Sequence, residues 1–170
     1  FISVNPRPYK KYRHELAGIP GIRLTAYDES EKCNYQYIVL EIDAAETQVT
    51  RDELMYILWA ENVVARRYFY PGCHRMEPYR SYFPHSGLLL PETERLVQRV
   101  MSLPTGTAVG EWEISRICGI IRTAVEHGPE VHERVARLLD GQDIYSVLES
   151  LRHERALHSD AALELVPATR

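Results

Sequence analysis

Apolar residues in the first segment recur at helical spacing: Tyr9, Tyr12 and Leu16 share one face of residues 7–17, and basic residues fill the other. Gly18 and then Pro20-Gly21 follow in the order that closes a helix. The pattern changes at Cys33. From there to Asp43, "CNYQYIVLEID" alternates and then becomes continuously apolar, which predicts a strand whose later part is buried on both faces. "TRDELMYILWAEN" returns to the helical period, with Leu54, Met55, Ile57 and Leu58 on the apolar side. Thr50 as N-cap and Glu53 three residues later form a capping box. "VVARRYFY" (63–70) then reads as a second strand.

Beyond Pro71-Gly72 the stretch to Phe83 is too interrupted for a full helix. "LLLPETERLVQRVMSLP" predicts a helix over 92–102 with Leu96, Val97, Val100 and Met101 inward. "GEWEISRICGIIRTAVEHG" predicts another, carrying Ile114, Ile117, Ile121 and Val125 on one face and ended by Gly128-Pro129. Two shorter amphipathic helices, "EVHERVARLLDG" and "DIYSVLESLRHERALHSD", precede a frayed tail. The order predicts a small α/β layer, in effect an α+β domain whose small sheet is flanked by helices.

Composition narrows the class. A chain of 170 residues, 45% hydrophobic and 26% charged, fits one globular domain, and its net charge of −4 argues against general nucleic-acid binding. Cys33, Cys73 and Cys118 are scattered and odd in number, a pattern of reduced thiols in a cytoplasmic setting. No apolar run approaches a membrane span, and no signal-peptide pattern opens the chain.

The candidate chemistry lies in "RRYFYPGCHRMEPYRSYF" (66–83). Arg66, Arg67, Arg75 and Arg80 are planar donors suited to phosphate, and Tyr68, Tyr70, Tyr79 and Tyr82 offer stacking faces with hydroxyl tips. Cys73-His74 supplies too few ligands at recognisable spacing for a metal site, and adjacent residues are a poor nucleophile–base pair. The residues alone leave two readings open. One is an anion-binding or sugar-binding corner; the other is a strand face whose side chains reach past one another to solvent.

The order of segments adds a resemblance. "NPRPYKKYRHELAGIPGI", "NYQYIVLEID", "TRDELMYILWAENVVARRYFYPGCHRMEPY", "LLLPETERLVQRVMSLPTG" and "EWEISRICGII" together resemble the C-terminal part of the DegT–StrS nucleotide-sugar aminotransferases, over about residues 2 to 126. The shared features are Arg51-Asp52 with Leu54, the corner of Tyr68, Phe69, Pro71, His74 and Tyr79, Leu90-Pro91 with Thr93-Glu94, and Ser102-Leu103-Pro104. Within the family the corner looks most like enzymes that aminate C4 of a dTDP-4-keto-6-deoxyhexose.

The resemblance implies a fold-type I enzyme that uses pyridoxal 5'-phosphate, works as a homodimer in deoxysugar and antibiotic biosynthesis, and takes its amino group from glutamate. It implies substrate-binding roles for His74, Tyr79, Tyr70 and Arg67, with His74 on the sugar or nucleotide phosphate and Tyr79 as contact or support. Asn5, Tyr12, Arg51 and Asp52 match as structural residues. No catalytic residue is expected in this chain. Its lysines are Lys10, Lys11 and Lys32, none in the family's glycine-rich lysine motif, and "FISVNPRPYKKYRHELAGIPGI" reads like the continuation of a longer chain. Residues 1–127 are therefore expected to be the small domain, lacking its N-terminal cofactor domain, and 128–170 a helical extension. The isolated piece is expected to be inactive. Two alternatives remain: a stand-alone nucleotide-sugar-binding or interaction module, and a relative that uses the same cofactor for sugar dehydration.

Overall fold

The computed structural model describes residues 5–140, 142–144, 146–150 and 153. Helix α1 (Pro6–Leu16) begins on a proline and buries Tyr9, Tyr12 and Leu16, the face its spacing predicts. Gly18, at φ +79°, turns the chain away from the helix end. Strand β1 (Ile22–Leu24) lies in a segment whose sequence reads only as a helix terminator, and it pairs antiparallel with β2 (Ile38–Ile42).

β2 is shorter than "CNYQYIVLEID" predicts, and it is buried on one face only. Tyr35 sits at φ +47°, in the left-handed region that breaks a strand, and its ring joins Tyr9 and Tyr27 in a cluster with centroids 4.9–5.1 Å apart. Tyr27 donates its hydroxyl hydrogen to the Tyr37 carbonyl at 2.6 Å. The 33–37 segment is thus held as a loop by aromatic packing, and pairing starts at Ile38.

Asp43 caps the short α2 (Ala44–Thr47) by accepting from the Ala45 N–H, and Thr50 starts α3 (Arg51–Ala60) with the expected capping box. Strand β3 is only Arg66–Arg67. The longer predicted strand fails on both sides. Trp59 Nε1–H takes the Ala65 carbonyl at 2.7 Å, and Phe69 at φ +46° turns the chain out of the sheet. A 3-10 turn (Cys73–Arg75) and short helices α4 (Tyr79–Tyr82) and α5 (Ser86–Leu89) follow.

The predicted helix over 92–102 divides in two. Helix α6 is Pro91–Val97, and Val100–Leu103 is strand β4, the neighbour of both β2 and β3 in a sheet ordered β1-β2-β4-β3 with every pair antiparallel. Four apolar-rich residues satisfy either period, and the hydrogen bonds offered by β2 and β3 decide for strand. After a 3-10 turn at Gly106–Ala108, α7 (Glu111–Glu126) buries Ile114, Ile117 and Ile121. Gly128-Pro129 ends nothing; it opens α8 (Gly128–Leu138) directly after His127. Residues 144 and 146–150 are helical, with Val147 and Leu148 buried; the expected tail lies outside the described residues.

The core occupies one side of the sheet. Ile38, Leu40 and Ile42 alternate on β2, paired with Met101 and Leu103 of β4, and they meet Tyr9, Tyr12, Leu54, Leu58, Ile114 and Ile121 from α1, α3 and α7. Each fully buried Leu or Ile contributes about 1.5–3 kcal/mol. Val100 and Ser102 belong to the opposite face, and the segment from Tyr68 to Val97 folds back against Val100. No helix among the described residues is long and apolar enough to cross a membrane.

Candidate functional site

The corner that follows β3 is shaped by backbone geometry before its side chains act. Gly72 has φ +103°, and a Cβ there would lie 2.7 Å from His74 Cε1 and 2.9 Å from Nδ1. Only glycine accommodates both the turn and the imidazole packed against it. The peptides Tyr70–Pro71 and Glu77–Pro78 are cis.

His74 is held on its other edge as well. Nε2 lies 2.6 Å from Glu94 Oε1 on α6, and the same oxygen accepts Arg75 Nε–H at 2.6 Å. The guanidinium of Arg75, and then the His74 ring, hold the Glu94 carboxyl down to about 2. The His74 side chain is 8% exposed. Tyr79, by contrast, is 53% exposed. Both residues line a groove of about 540 Å³ with Phe69, Phe83, Leu90 and Val100, so the structure brings this predicted pair together.

Arg67 and Tyr70 belong to a different cluster. Arg67 donates through Nε to Asp52 Oδ1 at 3.0 Å, which raises its already high pKa, and its guanidinium carbon lies 4.9 Å from the Tyr70 ring centroid. Arg51 approaches the same ring at 5.3 Å. Arg51 is itself 2% exposed and donates from Nη1 to the carbonyls of Val97 and Val100, at 3.0 and 2.9 Å. The family-matched Arg51-Asp52 pair therefore does more than begin a helix: it fastens α3 to the turn between α6 and β4. Neither Arg67 nor Tyr70 lines the groove that His74 and Tyr79 share.

Sequence reasoning missed Glu94 as a site residue. It stands inside the Leu90-Pro91, Thr93-Glu94 motif, but nothing local signals that its carboxylate reaches back 20 residues to His74. A larger hollow of about 670 Å³, bounded by α3, α7 and α8 and lined by Ile57, Trp112 and Ile120, contains none of the corner residues.

The groove can bind and orient a ligand by aromatic contact, with hydroxyls from Tyr79 and Ser86 at its wall. It offers no amine. Lys11 is paired with Glu15 at 2.6 Å, Lys10 and Lys32 are exposed, and none lines the groove. The residues present therefore do not furnish the amine that anchors pyridoxal phosphate. Among the described residues no three His, Cys, Asp or Glu side chains gather as a metal-ion set.

The sequence profile of the DegT/DnrJ/EryC1/StrS aminotransferase family matches residues 1–122. The dTDP-4-amino-4,6-dideoxy-D-glucose transaminase of Escherichia coli is 30% identical over 110 residues, 65% of this chain and 29% of that protein. DesI, whose crystal structure was determined in the presence of its TDP-sugar product, superposes with a TM-score of 0.69 and 45% identity over 80% of this chain and 33% of that one. S. venezuelae DesV, in complex with a ketimine intermediate, has a TM-score of 0.65 and 23% identity over 74% of this chain and 32% of that one, a likeness of fold. The chain spans about a third of the length of these relatives.

Proposed function

Because this chain belongs to the DegT/DnrJ/EryC1/StrS aminotransferase family, we propose that it forms the C-terminal small domain of a pyridoxal-phosphate-dependent nucleotide-sugar aminotransferase. The assembled enzyme moves an amino group from glutamate to the ketone of a dTDP-4-keto-6-deoxyhexose, in deoxysugar and antibiotic biosynthesis. The observation that carries this reading is the 45% identity to DesI across 80% of the chain. Pyridoxal phosphate supplies the amino-group chemistry, and its lysine belongs to the part of the enzyme that this chain does not span.

The role of this chain is a wall of the substrate cleft. Phe69, Tyr82, Phe83, Leu88 and Leu89 are all exposed within one short arm. An apolar face of this kind is normally covered. We assign its cover to the cofactor-bearing domain, in a homodimer of the cytoplasm. His74 and Tyr79 are the substrate-side residues of the groove, and Arg67 and Tyr70 brace the wall from behind.

A chimera tests the reading: the cofactor-bearing portion of DesI joined in frame to this chain. It is expected to aminate dTDP-4-keto-6-deoxyglucose with glutamate, and His74→Ala or Tyr79→Ala to lower that rate at least roughly tenfold, the loss typical of misplacing a reacting group. The chain alone is expected to show neither turnover nor a visible absorbance band with pyridoxal phosphate that depends on Lys10, Lys11 or Lys32. A chimera that holds the cofactor but leaves the keto sugar untouched would overturn the assignment.

A further inference from the structure

We propose that the hollow between α7 and α8 is a docking groove for an amphipathic helix of another protein, one that carries carboxylates beside its apolar face. This surface lies away from the corner, and its role does not depend on the aminotransferase reading. The family profile ends at residue 122, so α8, one of the two walls, falls outside it.

The walls are two helical stripes that lack a partner. On α7 the lining recurs from Trp112 through Arg116, Gly119 and Ile120 to His127, a run of about 22 Å at helical rise. On α8 it consists of Val131, Arg134, Val135 and Leu138, and Gly128 is the only buried residue of that helix. Trp112 is 68% exposed and Leu138 47%. A surface helix normally buries its apolar stripe. The α8 wall is nevertheless fixed at its base. A Cβ at Gly128 would stand 2.3 Å from the Thr47 carbonyl oxygen, and His132 reaches Glu53.

Two observations identify the occupant. Gly119 stands in the middle of α7, where glycine is a poor helix former, and a Cβ there would meet nothing within 4 Å. Packing inside the chain gives no reason for a glycine among the described residues; a bare backbone in an apolar wall lets a second helix approach closely. The rim is cationic as well. Arg116 lies over the Trp112 ring at 5.4 Å, and neither it nor Arg134 pairs with a carboxylate among the described residues. Against these two arginines, Glu61 is the one acidic side chain in the lining among the described residues. A helix of about four turns with acidic flanks matches the length, the close approach and the charge together. A compact ligand would leave either Trp112 or Leu138 bare.

The test titrates the full chain with a designed helical peptide of about 16 residues, leucines on one face and glutamates beside them, and with its lysine counterpart. Amide and indole NMR shifts report binding. The glutamate peptide is expected to move residues 112–127 and 131–138 and the Trp112 indole, and to bind at least roughly tenfold more tightly than the lysine peptide. Arg116→Glu combined with Arg134→Glu should reverse that preference. Gly119→Leu fills the wall with a better helix former. Its urea midpoint should match or exceed the parent's while affinity for the glutamate peptide falls at least roughly tenfold. No shift with either peptide, equal affinity for the two, or parental affinity in Gly119→Leu would overturn the proposal. So would a concentration-dependent dimer that Gly119→Leu abolishes, which would make a second copy of this chain the occupant. In the DesI chimera, peptide affinity is expected to stay at the parental level whether or not the keto sugar is aminated. Loss of binding there would assign the groove to the cofactor-bearing portion, overturning the proposal while leaving the enzyme reading intact.

Discussion

His132 Nδ1 of α8 lies 2.6 Å from Glu53 Oε1 of α3, so the carboxylate that closes the α3 capping box also receives the helix following the family-matched region. The other oxygen, Oε2, accepts from the Thr50 N–H at 2.7 Å. Glu53 is almost wholly buried, whereas the His132 side chain is largely exposed.

Glu53→Ala therefore removes a cap and a tie together and is expected to cost about 2 kcal/mol. His132→Ala leaves the capping box intact and should cost less than about 1 kcal/mol. Urea denaturation of both variants measures the difference. Equal losses would mean that the box contributes nothing beyond the α8 contact.

Arg51 is the buried charge on which the α6–β4 turn depends. Arg51→Ala takes the side-chain donor from the Val97 carbonyl and leaves the Val100 carbonyl only the Tyr68 N–H at 3.4 Å, at an expected cost of about 3 kcal/mol. Hydrogen exchange should accelerate in β4 before it does in α7. A loss under about 1 kcal/mol would show that water replaces the guanidinium without penalty.

The corner should make stability depend on acid. The Glu94 carboxyl, held to about 2 by Arg75 and His74, lies below the ordinary glutamate value of about 4.3. A group depressed on folding stabilises the folded state fully above its unfolded value and loses that contribution as pH falls from about 5 toward its folded value. Glu94→Gln is expected to be less stable than the parent at neutral pH and to lose less on acidification across that window. Parallel stability–pH curves for the two proteins would contradict this.

The cysteines should separate by access. Burial pushes the Cys118 thiol up to about 12, and its side chain has no exposed surface. Cys73 is exposed and Cys33 is partly covered. Iodoacetamide followed by peptide mass mapping is expected to label Cys73 first, and Cys118 only once the chain unfolds. Early labelling of Cys118 would mean that α7 opens locally from the core.

Much of the helical framework was legible in local pattern. The Thr50–Glu53 box, the Tyr9, Tyr12, Leu16 face and the Ile114, Ile117, Ile121 face each appear where the spacing put them. Those features depend on residues within a turn or two of each other, and periodicity records such neighbours directly. The sheet was less legible. β1, β3 and β4 are between two and four residues long, too short for a period to declare itself, and the Val100–Leu103 run fits a helix as well as a strand.

The chain's own text determined the buried faces of α1, α3 and α7, its family motifs and the grouping of His74 and Tyr79 in one corner. Only the tertiary structure made Val100–Leu103 a strand, because its hydrogen-bond partners come from Ile38–Glu41 and Arg66–Arg67, far away in sequence. It also set Arg67 against Asp52, and both Arg51 and Arg67 over the Tyr70 ring, beside the groove and not in its lining. And it brought Glu94 onto His74 and Arg75. A carboxylate 20 residues away can organise a site only after the chain has folded back, and no local pattern encodes that return.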